Sequence, residues 1–380
     1  MDAVRIGLHR TSKDRGLPDG GAGRYDASMM DKLAGLPLLP TTIVGSYPQP
    51  DWLIDRERLK TRLPPRVRAA ELWRVAPPWL EDAQEAATLM ALSDQRLAGI
   101  DIVGDGEMRR ESYSNRLATA LEGIDIDVPG EAFDRTGAPN PVPRVAGRIR
   151  RRGQIEAAEA AEFVERAGGW TKITLPGPFT MTQQAQNDYY PDDEALAMDY
   201  AAAVNEEIKD LHAAGVSIVQ LDEPYLQARA GAARAYAIKA IDRALQGVTG
   251  LTALHICFGY AHVHAGAAKP KDYDFLSELT HTGIDIVSIE AAQPRLDPAV
   301  LESLPGKRIM YGVIDLNDPR AESADIVADR IRGALKYAEP ERIIVAPDCG
   351  MKYQSRSLAF AKLKAMVDGT SIVREELGFA

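Results

Sequence analysis

Short apolar runs, each closed by a polar cluster and most followed by a stretch of helical spacing, organise this chain from residue 41 onward. The first run, TTIVGS at 41–46, is broken by Tyr47-Pro48-Gln49-Pro50. Residues 78–99 then carry apolar positions at 80, 83, 87, 90 and 91 and stop at a glycine, the signature of an amphipathic helix. Further apolar runs fall at 100–103, 172–175, 217–221, 251–257, 285–289, 308–314 and 342–346. Helices are expected at 192–214, 231–246, 271–281, 322–337 and 354–368.

Alternating strands and helices imply a parallel sheet, and eight such units closing on themselves make a (β/α)8 TIM barrel. An open doubly wound sheet is the alternative that the same pattern allows. Two stretches stand outside the repeat. Residues 123–153, with Pro, Gly and a basic run at 148–152, read as a small insertion, hairpin-like, after the second βα unit. Residues 1–38 are rich in Gly, Asp, Arg and Ser without a sustained period, and read as an N-terminal extension, mobile or draped. The expected organisation is therefore one barrel domain over 39–380.

Composition narrows the function classes. With 380 residues, 45% of them apolar and 26% charged, the chain can bury one large core or two. A net charge of −10 argues against duplex nucleic acid or an anionic membrane as main partner. No run approaches the ~18 consecutive apolar residues of a membrane span, and the N-terminus lacks the apolar core of a secretory signal. The two cysteines sit at strand ends far apart in sequence. A disulfide scaffold is not expected, and a reducing cytoplasm is the expected compartment.

Chemistry gathers where strands end. The run at 251–257 closes in His255-Ile256-Cys257. On a strand, residues i and i+2 face the same way, so imidazole and thiol project together, a pairing that suits zinc. A core histidine beside an inert cysteine satisfies this pair equally well; Cys349, in a similar setting far downstream, tips the balance. The candidate ligands are His255, Cys257, Glu290 and Cys349, all at strand ends that a barrel rim would collect. Glu290 also reads as a capping or salt-bridged carboxylate. Zn²⁺ with two thiolates is neutral, and a carboxylate makes the centre anionic. Such a centre lowers the pKa of a substrate thiol yet leaves its sulfur electron-rich. The reaction class implied is alkyl transfer to a thiol. A second pair, His262 and His264, lies beyond Gly259-Tyr260 and reads better as surface histidines.

Five motifs in order, TTIVGSYPQP, QLDEP, LHICFG, VSIE and APDCG, resemble the C-terminal catalytic barrel of cobalamin-independent methionine synthase. The resemblance spans roughly 40–380 and is to a short core form without a duplicate N-terminal barrel. It implies a zinc ion on His255, Cys257, Glu290 and Cys349. It implies homocysteine contacts from Val44, Gly45, Ser46, Glu107 and Asp222. Amides beside Gly45 would take the carboxylate, and Glu107 and Asp222 the ammonium. Other readings of these residues are a tight turn needing glycine at 44–46, a capping Asp222, and a Glu107 paired with Arg109 or Arg110.

Four features of the family are altered or missing here. Its folate-stacking tryptophan falls near Gln184 and its acidic folate contact on Ala228. The Arg-Cys pair that holds folate has no counterpart, and the proton-shuttle histidine falls on Asn317. The catalytic candidates are thus Glu107, Asp222 and, by position alone, Asn317. The expectation is a zinc-dependent thiol S-methyltransferase converting homocysteine to methionine, with a donor other than polyglutamyl folate. A methylcorrinoid on a partner protein is one option. The alternatives are a related transferase of the epoxide:coenzyme M type and a non-catalytic module with structural zinc.

Overall fold

In the computed structural model, which describes residues 33–60, 64–133, 139–259 and 269–379, seven parallel strands form one curled sheet. His262, His264 and most of the expected extension over 1–38 lie outside the described residues. Ten strands are present among those described: β1 (Ile102–Gly104), β2 (Glu122–Phe133), β3 (Pro139–Arg150), β4 (Trp170–Pro176), β5 (Gln186–Asn187), β6 (Ile218–Asp222), β7 (Leu251–Ile256), β8 (Ile286–Ile289), β9 (Arg308–Ile314) and β10 (Ile343–Pro347). The main sheet runs β1-β4-β6-β7-β8-β9-β10, so neighbours in space follow chain order. A doubly wound sheet reverses direction at a switch point; this one does not.

The expected first strand at 41–46 is only a two-residue bridge. Thr41 pairs with Val345 of β10 and Thr42 with Ile102 of β1, both in parallel, so this segment joins the two edges of the sheet and makes it barrel-like. It stays short because β1 itself is only three residues long before the Gly104-Asp105-Gly106 turn. The stretch 123–153, expected as an insertion, contributes to the antiparallel pair β2–β3, with the two-residue β5 added parallel to β3.

Helices alternate with the strands and mostly begin and end as the sequence patterns require. Pro77–Ala98 starts on two prolines and stops at Gly99, whose φ of +92° favours glycine. Asp193–Ala213 is capped by Asp192, Ala324–Ala334 by Ser323 and Arg356–Glu376 by Ser355. The helix expected at 271–281 is instead a 3-10 segment, Ser277–His281. Hydroxyls of Thr280 and Thr282 donate to carbonyls three residues earlier, at Ser277 and Leu279, and tighten the turn. No described helix is long and apolar enough to cross a membrane.

Strand parity divides the core. One set of side chains, including Val219, Leu221, Leu254, Ile256, Val287 and Ile309, packs with the helices. The alternate set, Val44, Ile102, Ile218, Leu251, Ala253, Ile286, Met310, Ile344 and Ala346, forms a second apolar cluster inside the curl. Two residues further along the same strands the inward positions turn polar: Gln220, His255, Ser288 and Asp348 are all buried.

Asp101 latches the bridging segment. Its carboxylate accepts from the Thr41 amide and hydroxyl, each at 2.8 Å, and from Arg374 of the last helix at 2.7 Å. Asp101→Ala should therefore lower unfolding free energy by about 2 kcal/mol, with Asp101→Asn intermediate. Urea denaturation of the two variants against wild type checks this.

Candidate metal centre and the adjoining pocket

His255 and Cys257 stand at the C-terminal end of β7, and Cys349 lies two residues past β10. The ligand atoms of these three buried residues lie within 4.8 Å of one another. The His255 ring is oriented by a 2.9 Å hydrogen bond between its Nδ1 and the Ser288 hydroxyl, while Nε2 is buried without a hydrogen-bond partner. This is the usual support of a metal-binding imidazole, one nitrogen fixed by a neighbour and the other free for an ion.

Asp348 brings the neighbouring strand ends together. Its carboxylate accepts from the amides of Ala291, Ala292 and Gln293, pinning the turn after Glu290 beside Cys349. Gly312 makes room for it: a Cβ there would stand 2.2 Å from Asp348 Oδ1. Glu290 is fully buried but outside the group of three. Its Oε2 is paired with Lys269 at 2.5 Å, its amide donates to the Tyr273 hydroxyl, and its Oε1 has no partner.

Charge explains what this cluster wants. Burial pushes the Glu290 carboxyl up to about 8, with Cys257 and Asp348 adding and Lys269 opposing. A hydrogen bond to Cys257 and burial push the Cys349 thiol well above its ordinary value. Burial disfavours charge on His255, yet Cys257, Asp222 and Glu290 outweigh it and hold its pKa above the usual value. Two sulfur donors and the unpartnered His255 Nε2, with the unpartnered Glu290 Oε1 nearby, fit a divalent cation of borderline softness such as Zn²⁺.

Val44, Gly45, Ser46, Glu107 and Asp222 line one open pocket of about 370 Å³ with His255, Cys257 and Cys349. Ser46 is tied to the other wall, its carbonyl accepting from Met351 at 2.7 Å, while its buried hydroxyl has no partner. Glycine at 45 is there for close approach: its φ is not positive, and a Cβ would stand 2.6 Å from Glu107 Oε1. Glu107 itself sits at φ +57°, unusual for a side chain of this kind. Its amide donates to Asp105 Oδ1, and Gln49 bonds the carbonyls of Met108 and Arg110, which hold the turn.

Neither arginine takes Glu107. Arg110 pairs with Asp105 at 3.0 Å and approaches Glu156 at 3.7 Å, and Arg109 reaches Glu159. Glu107 Oε1 accepts instead from the Thr174 hydroxyl at 3.2 Å. Asp222 caps no segment; the adjacent Glu223 does so, accepting from the amides of Phe179 and Thr180. Asp222 accepts from Gln220 at 2.7 Å, and burial, with Glu107 adding, raises its pKa.

Other expected residues stand apart. Asn317 is exposed in the turn after β9, its amide bonded to Asp315, and lines no part of this pocket. Ala228 is exposed at the end of the short helix Pro224–Ala228. Gln184 is buried, donating to the Tyr113 hydroxyl at 2.6 Å and accepting from Ser114. A second cleft, about 500 Å³, lies beside the helix Pro77–Ala98 but is lined by mutually paired charges such as Arg116 and Glu159. Sequence reasoning passed over Lys172, Gln220, Lys269 and Ser288. The available signal was a lysine and a glutamine at inward parity within otherwise apolar strands.

Residues 39–371 match the family model described as the catalytic domain of cobalamin-independent synthase. A methionine synthase of Saccharolobus solfataricus is 32% identical over 357 residues, spanning 91% of this chain and 98% of that protein. One from Sulfurisphaera tokodaii is also 32% identical, over 90% of this chain and 94% of its own length. A solved B12-independent methionine synthase from a Shewanella species, in complex with selenomethionine, superposes with a TM-score of 0.80 at 32% identity, covering 90% and 99% of the two chains. A methyltransferase from Methanosarcina mazei shares the fold at 14% identity and a TM-score of 0.61, over 91% of this chain and 97% of that one.

The geometry predicts a single metal ion per chain. Cys257→Ser or Cys349→Ser should abolish stoichiometric zinc, and Ser288→Ala should weaken zinc affinity about 10- to 100-fold by freeing the imidazole. Elemental analysis and chelator competition measure both.

Proposed function

The chain belongs to the cobalamin-independent synthase catalytic-domain family, and from that premise we propose that it methylates the thiol of homocysteine to give methionine at the pocket described above. The observation that carries this reading is the shared lining: the His255, Cys257 and Cys349 donors and the residues Val44, Gly45, Ser46, Glu107 and Asp222 face one space. In this reading the sheet and its bridging segment act as a (β/α)8 barrel with its site at the C-terminal rim.

His255, Cys257 and Cys349, with Glu290 Oε1 as a further donor, would hold Zn²⁺, which when bound would favour a substrate thiol as its thiolate. The protein's own groups do the rest. The carboxylate of the amino acid is taken by the amides at 45–46 and the unpartnered Ser46 hydroxyl. Its ammonium lies between Glu107 and Asp222, neither of which makes an ion pair with an arginine among the described residues. Ser288 keeps the imidazole in one orientation, and Asp348 keeps the rim segments together.

The donor side differs from a folate site. A pterin ring is held by a flat aromatic or apolar partner. Gln184 is engaged with Tyr113 and Ser114, and exposed Ala228 offers no hydrogen bond to a pterin edge. Asn317 is neutral at any ordinary pH and stands outside the pocket, so it takes no part as a proton donor. We therefore assign the donor role to something other than polyglutamyl folate, with a methylcorrinoid, free or on a partner protein, as the leading option.

A side-by-side assay at saturating L-homocysteine tests the reading. Methionine should form from methylcobalamin and not from methyltetrahydrofolate. Turnover with the folate at about 1 per second or faster would overturn the donor assignment, and no methionine from any methyl donor would overturn the function.

A further inference from the structure

Lys172 is the least expected residue inside the sheet. It lies in the middle of β4, in the apolar run TKITLP, and is only 2% exposed. A buried ammonium is costly unless paired, yet among the described residues no carboxylate oxygen lies within 4 Å of its Nζ. It donates instead to two neutral oxygens, the Val44 carbonyl at 2.5 Å and Gln220 Oε1 at 2.7 Å. A methionine or leucine would fill the same space without that cost, so the charge calls for an explanation beyond packing.

Its two acceptors lead to the two ends of the amino-acid pocket. A trans peptide directs its C=O and N–H to opposite sides. With the Val44 carbonyl held by Lys172, the Gly45 amide points away from the lysine, in the turn that lines the pocket. On the other side, Lys172 takes the oxygen of the Gln220 amide, so the nitrogen must face Asp222, to which it donates at 2.7 Å. Thr174, two residues on and on the same face of β4, donates to Glu107 Oε1. One strand thus orients all three recognition elements. Lys172 also supplies a positive charge near two carboxylates whose mutual repulsion would otherwise push them apart or neutralise one of them.

From this geometry we propose that Lys172 is the positioning residue that makes the pocket selective for a thiol bearing both an ammonium and a carboxylate group. The proposal rests on the reading of this pocket as an amino-acid site. Lys172 touches no substrate in this scheme. It sets the Val44 peptide for the carboxylate end and, through Gln220, the Asp222 carboxylate for the ammonium end.

The test compares L-homocysteine with 4-mercaptobutanoate, which keeps the thiol and carboxylate but lacks the amine. Dissociation constants are measured by calorimetry on the zinc-loaded wild type and Lys172→Met, with zinc content and unfolding midpoint recorded for each. Wild type should prefer homocysteine, and the variant should lose that preference by on the order of ten- to a hundredfold while binding zinc normally. Equal weakening of both ligands marks a merely structural role and overturns the proposal, as does an unchanged ratio. A wild type that does not distinguish the two thiols overturns the amino-acid reading itself, a result separate from any property of the variant. Should Lys172→Met fail to fold, Gln220→Leu cuts the link to Asp222 alone. It leaves Lys172 with the Val44 carbonyl as its acceptor; it should also reduce the preference, and retention of the wild-type ratio would overturn the proposal.

Discussion

A curled parallel sheet sends every second side chain into a space that water does not fill, and the whole site follows from that constraint. Apolar residues at the inward positions, such as Ile218, Ala253, Ile286 and Met310, pack as a floor. Polar ones above them must satisfy each other or a ligand, because a buried polar atom without a partner is expensive. Gln220, Lys172, Asp222 and the Val44 carbonyl satisfy each other. His255 Nε2, Ser46 Oγ and Glu290 Oε1 do not. Such atoms occur elsewhere in the protein too, but these three stand with the cysteines around one centre.

Much of this was legible in sequence because parity is local. His255 and Cys257 share a face by their spacing alone, and Cys349 declares itself by ending a strand in Pro-Asp-Cys-Gly. Most helix limits came within a few residues for the same reason, since caps and glycine stops are short-range features. What failed depended on contacts far along the chain. The run at 41–46 has strand composition, but its partner β1 is too short to extend it past Thr42. The 271–281 stretch has helical spacing, but its own threonine hydroxyls tighten it. Lys172 reaches an acceptor 128 residues away and another 48 residues away, and nothing local announces either bond.

Glu290 and Glu107 illustrate how neighbours assign roles. Both are buried glutamates that simple reading could give to a salt bridge. Glu290 does meet a lysine, Lys269, through one oxygen, while the other remains unpartnered beside the sulfur and imidazole donors. Glu107 meets no arginine, because Asp105 and Glu156 draw Arg110 away and Glu159 takes Arg109. Its carboxylate therefore lines the pocket without a direct ion pair, near the buried Lys172 and Lys352. The departures at Gln184, Ala228 and Asn317 concern the donor in the proposed reading, and none of the three lines this pocket. On the proposed reading, the thiol half of the reaction would be kept in this chain while the donor half would be altered.

In the proposed reaction, a thiol entering this pocket meets a metal held by His255, Cys257 and Cys349. Cobalt replacement reads that contact directly. The visible spectrum of the cobalt-loaded protein should gain thiolate-to-metal intensity on adding L-homocysteine, with one equivalent saturating the change. A spectrum that stays unchanged while calorimetry shows homocysteine bound would contradict the account, since the amino acid would then occupy the pocket without its sulfur reaching the metal.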